Sequence, residues 1–137
     1  MGSLEILKLL LDTHVWIWSV GDKARLSPRV LKALASSANE LWLSPISVWE
    51  LTILVDKGRV VLSVGLEEWI GEALKAGPFM EAPLTTEVAL ATRGIGMSHR
   101  DPADMLLAAT AKVFGLTLVT SDVRLIAVKG LSILAND

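Results

Sequence analysis

Near-continuous apolar runs mark strands buried on both faces of a sheet, whereas apolar positions three and four apart mark helices laid against it. Ile6 to Leu11, interrupted only by Lys8, is one such run and closes at Asp12-Thr13; Leu116 to Thr120 is a second and closes at Ser121-Asp122. Both read as central strands. Leu41-Trp42-Leu43 predicts a short strand, Phe79 to Leu84 an edge strand able to hold Pro83, and Leu131 to Leu134 a closing strand. Arg59-Val60-Val61-Leu62 reads as a brief extended piece.

Between these runs, a capping side chain followed by proline starts a helix three times. Ser27-Pro28 opens one with Val30, Leu31 and Leu34 on its apolar side. Ser44-Pro45 opens another, with Ile46, Trp49, Ile53 and Leu54 as the stripe and Lys57-Gly58 as the stop. Asp101-Pro102 opens the third, which runs to Phe114-Gly115. Leu66 to Ala76 is amphipathic with Trp69 inward, Thr85 to Leu90 starts a further helix ending near Gly94, and Asp122 starts a last short one. Thr13 to Trp18 folds back as a helix or tight turn, in which Trp16 and Trp18 cannot share one face. Alternating strands and helices predict an α/β fold, a single domain over residues 1–137 with a mostly parallel central sheet flanked by helices. Gly2 and Ser3 carry no weight in this reading.

Composition narrows the classes. With 137 residues the chain suits one core, and 52% hydrophobic residues are enough to fill it and leave some for an interface. No apolar run reaches the length of about 18 residues that a membrane span needs. The absence of cysteine removes disulfides, thiolate nucleophiles and sulfur-bound zinc, and suits the reducing cytoplasm. A net charge of −2 argues against binding through a broad basic surface.

Four carboxylates stand where this fold gathers ligands. Asp12 and Asp122 follow the carboxyl ends of the two central strands, which in open α/β sheets line a crevice; Glu50 and Asp104 approach on helix starts. Four acids in one cleft cannot all stay ionised without a cation. Oxygen donors with no sulfur or paired histidine suit Mg²⁺ or Mn²⁺. Capping alone accounts for Asp101, and acids in a first helical turn are common. Nothing in the local pattern calls for an acid after a buried strand, which makes Asp12 the most pointed of the set. Glu50, beside an apolar stripe, needs a cation or a hydrogen-bond partner. His14 and His99 read as local packing groups, and Lys57 and Arg59 as helix-end charges.

The segments Leu9-Leu10-Leu11-Asp12-Thr13, Ser44-Pro45-Ile46-Ser47-Val48-Trp49-Glu50, His99-Arg100-Asp101-Pro102-Ala103-Asp104 and Val119-Thr120-Ser121-Asp122 together resemble PIN-domain nucleases, and within them VapC-type toxins. The resemblance implies that Asp12, Glu50, Asp104 and Asp122 are catalytic, with Thr120 or Ser121 as the hydroxyl that helps hold the site. It also implies RNA cleavage, a homodimer and a cognate antitoxin protein whose tail lies in the cleft. Many relatives carry arginine after the acid at position 104, where this chain has Met105.

The chemistry follows from these residues. The expected division of roles has Asp12, Asp104 and Asp122 holding the metal, directly or through water, while Glu50 orients or deprotonates the attacking water. Asp101 supports the site behind them, and Arg100 and Arg93 are candidates to meet the phosphate. Two other readings compete. A catalytically silent PIN-like module would bind RNA or protein without turnover. A receiver-type phosphoacceptor domain would pair two acids after the first strand and place a lysine after a late one, where this chain has Asp12 alone and Ser121-Asp122.

Overall fold

The computed structural model describes residues 6–97 and 101–137. Five strands, β1 (Lys8–Leu11), β2 (Glu40–Leu43), β3 (Met80–Glu81), β4 (Thr117–Thr120) and β5 (Ser132–Ala135), form one sheet in the order β3-β2-β1-β4-β5. Every neighbouring pair is parallel. The chain winds outward from β1 to β3, then returns to lay β4 on the other side of β1. That reversal opens a crevice past the ends of β1 and β4, where adjacent loops leave in opposite directions.

Alternation along the strands feeds two cores. Leu9 and Leu11 join Val15, Trp16, Leu51 and Val119 on one face; Leu10 joins Leu107, Ala108, Ala111 and Leu118 on the other. All three leucines of β1 are fully buried, each stabilising the fold by about 1.5–3 kcal/mol. Trp16 packs edge-on to Trp69 at 5.3 Å between ring centroids, so Trp69 does point inward.

Seven α-helices cover the sheet among the described residues: α1 (Thr13–Gly21), α2 (Pro28–Ala35), α3 (Pro45–Asp56), α4 (Leu66–Ala76), α5 (Thr86–Ala91), α6 (Pro102–Phe114) and α7 (Val123–Ile126). Helix α6 ends at Gly115, whose left-handed φ of 65° lets its N–H return to the Ala111 carbonyl and turns the chain into β4.

Two expectations fail locally. Arg59 to Leu62 forms no strand: Gly58 takes a φ of 70°, and the N–H groups of Arg59 and Val60 both return to the Leu54 carbonyl at the end of α3. Val61 is left 89% exposed. The face of α3 is also rotated from the expected stripe, since Ile46, Ser47 and Leu51 are buried while Trp49 is 53% exposed. Helix α3 is apolar nearly all round, so spacing alone could not choose its inner face.

Candidate active site

A cleft of about 720 Å³ lies at the β1–β4 crevice, and Asp12, Glu50, Asp101, Asp104 and Asp122 all line it. Side chains separated by more than 100 positions converge there because the ends of β1 and β4 are neighbours in the sheet. The Asp12 N–H donates to the Val119 carbonyl at 3.0 Å and extends the ladder by one rung.

Asp12 does have a structural duty, contrary to the expectation from sequence. It is the N-cap of α1, its Oδ1 accepting from the Val15 N–H at 2.8 Å. Its Oδ2 accepts from the hydroxyl of Thr120, which is fully buried and in turn accepts from the Asp122 N–H at 3.0 Å. Thr120 thus ties the two strand ends together. Ser121 also lines the cleft, but its Oγ accepts from the Asn136 amide at 2.8 Å.

Glu50 finds its partner in Thr13, whose hydroxyl donates to Oε1. Thr13 carries one hydroxyl hydrogen, so at 3.2 Å from the buried Ser47 hydroxyl it must accept from Ser47. The result is a directed chain from Ser47 through Thr13 to Glu50.

On α6, Asp101 is the N-cap, accepting from the Asp104 N–H at 3.1 Å, and Pro102 fills the first helical position. Asp122 caps α7, accepting from the Arg124 N–H at 2.9 Å.

The electrostatics are those of crowded acids. Burial pushes the Asp12 carboxyl above its usual range, and the charge of Asp104 adds to the rise; Thr120, the Val15 N–H and His14 oppose it. Burial likewise raises Glu50, with Asp104, Asp101 and Asp12 adding to it and Thr13 opposing. A divalent cation would relieve both groups, and the carboxylate and hydroxyl oxygens here are the hard donors that Mg²⁺ or Mn²⁺ takes. Among the described residues no three of the acids and histidines form a ready-made cage. Two of the predicted ligands are already engaged, Asp12 by Thr120 and α1, Asp122 by Arg124. The donor set therefore fits a hard cation in kind, and closing on one requires side-chain exchange.

Other sequence candidates divide. Arg93 is exposed in the short 3₁₀ turn that follows α5 and is not among the residues that line the cleft. Arg100 and His99 lie outside the described residues. His14 lines the cleft, tilted against Trp18 at 5.6 Å, and Arg25 lies 5.5 Å over the same indole. Trp18 is thus the tryptophan at the cleft, and Trp16 the one in the core. Arg59, expected as a helix-end charge, lines the cleft because the Gly58 turn swings it there.

Sequence reasoning missed Thr13 as a partner of Glu50, Arg124 at the cleft, and Asn136. Asn136 accepts from the Ser27 N–H at 2.7 Å and donates to the Arg25 carbonyl at 3.0 Å besides Ser121. The only signal for it is an amide at the end of an apolar strand.

A family model described as PIN domain matches residues 9–131. Ribonuclease VapC22 from Mycobacterium tuberculosis (strain ATCC 25618 / H37Rv) is 35% identical over 120 residues, covering 85% of this chain and 88% of that protein. Among solved structures, VapBC2 from Rickettsia felis bound to a DNA fragment from its promoter is similar at a TM-score of 0.68 and 18% identity, covering 96% of this chain and 100% of that chain. DNA-bound VapBC from Salmonella typhimurium is similar at a TM-score of 0.68 and 20% identity with the same coverage. At those identities the structures bear on the fold.

Proposed function

Given that this chain belongs to the PIN-domain family, we propose that it is a metal-dependent endoribonuclease and the toxin half of a toxin–antitoxin pair. The observation that carries this reading is the convergence of five carboxylates on one crevice, two of them, Asp12 and Glu50, held above their usual range by burial and by neighbouring acids. Charge repulsion of that kind is costly unless a cation offsets it. The antitoxin partner follows from the toxin–antitoxin complexes whose fold this chain shares, and a homodimer is proposed with it.

In this reading Asp12, Asp104 and Asp122 hold Mg²⁺ or Mn²⁺. Such a cation, when bound, lowers the pKa of water and neutralises charge on the scissile phosphodiester. Glu50 takes the proton of the attacking water; burial and the neighbouring acids raise its affinity for that proton. Thr13 holds the Glu50 carboxylate in place, and Thr120 fixes Asp12 relative to Asp122. Asp101 keeps α6 in register, so that Asp104 faces the cleft.

The test is cleavage of single-stranded RNA by the purified chain with Mg²⁺ or Mn²⁺, with chelator, and with Asp104→Asn. Cleavage that requires the metal and is lost in the variant is the expected result. RNA binding without any turnover would point instead to a silent module.

A further inference from the structure

Arg124 stands on the cleft in a position that the proposed ligand role of Asp122 does not by itself explain. Its Nε lies 3.2 Å from Asp122 Oδ1 and its second terminal nitrogen 3.1 Å from Oδ2, a two-point fork on both carboxylate oxygens. The guanidinium also lies in the field of Asp104 and Asp101. A cation seeking Asp122 therefore meets a positive group already in place.

The same fork that matches a carboxylate matches a phosphodiester, whose two non-bridging oxygens present similar geometry. Exchange between the two is easy here. The Arg124 and Asp122 side chains are 53% and 26% exposed, and an ion pair that open to water is weak. The backbone does not need the pair either: the Arg124 N–H caps onto Asp122 independently of the guanidinium, and the fully buried Leu125 anchors α7 to the core.

We propose that Arg124 is a phosphate-binding residue for the RNA, held on Asp122 until a divalent cation takes that carboxylate and frees the guanidinium to face the backbone of the substrate. This rests on the nuclease reading above. It makes Arg124 a competitor of the metal and a helper of the substrate, two opposite effects that a merely structural ion pair would not produce.

Arg124→Gln tests both on the full chain. Calorimetric titration of Mn²⁺ into the RNA-free protein should show binding about two- to fivefold tighter than wild type. Cleavage of a single-stranded RNA oligonucleotide should show a KM about tenfold higher. The log–log dependence of KM on KCl should become shallower by about 0.7, the signature of one lost phosphate contact on a single strand. Arg124→Lys keeps the charge and loses the fork, so the salt slope should stay while Mn²⁺ affinity rises less. Unchanged Mn²⁺ affinity or an unchanged salt slope in Arg124→Gln overturns the proposal. A wild-type chain that neither binds Mn²⁺ nor cleaves overturns the nuclease reading and this one with it; a wild type that does both, matched by the variant, overturns this one alone.

Discussion

Helices α1, α6 and α7 begin on Asp12, Asp101 and Asp122, whereas α2, α3 and α5 begin on Ser27, Ser44 and Thr85, and α4 on Gly65. The local work is the same. Asp12 accepts from the N–H three residues on, and so do Ser27 and Thr85. Serine, threonine and aspartate are comparable caps, so helix initiation does not explain why three of the seven are acidic. Position does: the three aspartates line the cleft, and none of the other four caps does. Among the α-helices, a start near the crevice thus carries a charge beyond what its capping needs, and one elsewhere has a neutral cap.

The sharpest way to break this comparison is to remove the charge and keep the cap. Asp12→Asn should lower RNA cleavage by about 10²–10³-fold, the scale of losing one preorganised electrostatic group. Asparagine caps as well as aspartate, and no charge is left to bury, so the metal-free variant should melt no lower than wild type at neutral pH. Cleavage near the wild-type rate would leave Asp12 as a cap and nothing more.

Thr13→Val should come next, at about 10–100-fold in kcat with little change in KM, because it removes the group that orients Glu50 and no group that meets substrate. Thr13→Ser restores the hydroxyl and should restore most of the rate. Equal losses in both variants would instead indicate a packing defect.

The pH dependence separates charged caps from neutral ones. Asp12 and Glu50 are held above their ordinary values in the fold, so the folded state keeps their protons longer than the unfolded chain does. Their contribution is full below the ordinary carboxylate range and is lost as pH rises through the raised values. Thermal melts with chelator, taken upward in pH from the ordinary carboxylate range, should show that loss more strongly in wild type than in Asp12→Asn, and added Mn²⁺ should reduce it. Identical pH profiles for the two proteins would contradict it.

At the neutral caps the expected effect is smallest and purely structural. Thr85→Ala should cost about 1 kcal/mol of stability, read by denaturant unfolding, and leave cleavage per folded molecule unchanged.

The sheet was legible because its central strands are simple: Leu9 to Leu11 and Leu116 to Thr120 are apolar on both faces, and each ends on a turn-forming acid or hydroxyl. The acids were legible for the same reason, since a carboxylate at the end of a buried run is conspicuous. What escaped depends on partners distant in sequence or on direction. Nothing near Asn136 announces Ser27, more than 100 positions away. Trp49 and Leu51 are equally apolar, and only the packed fold decides that Leu51 goes in. Arg59 reads as a helix-end charge until Gly58 turns the chain toward the cleft.

The bond from Thr120 to Asp12 joins residues 108 positions apart. During synthesis β1 leaves the ribosome long before β4 exists, and the two halves of the crevice cannot meet until nearly all of the described chain has emerged. A product of interrupted translation that ends before β4 carries Asp12, Glu50 and Asp104 but lacks Thr120 to hold Asp12 and Asp122 to face them. The acidic crevice is therefore complete only once β4 has emerged and docked beside β1.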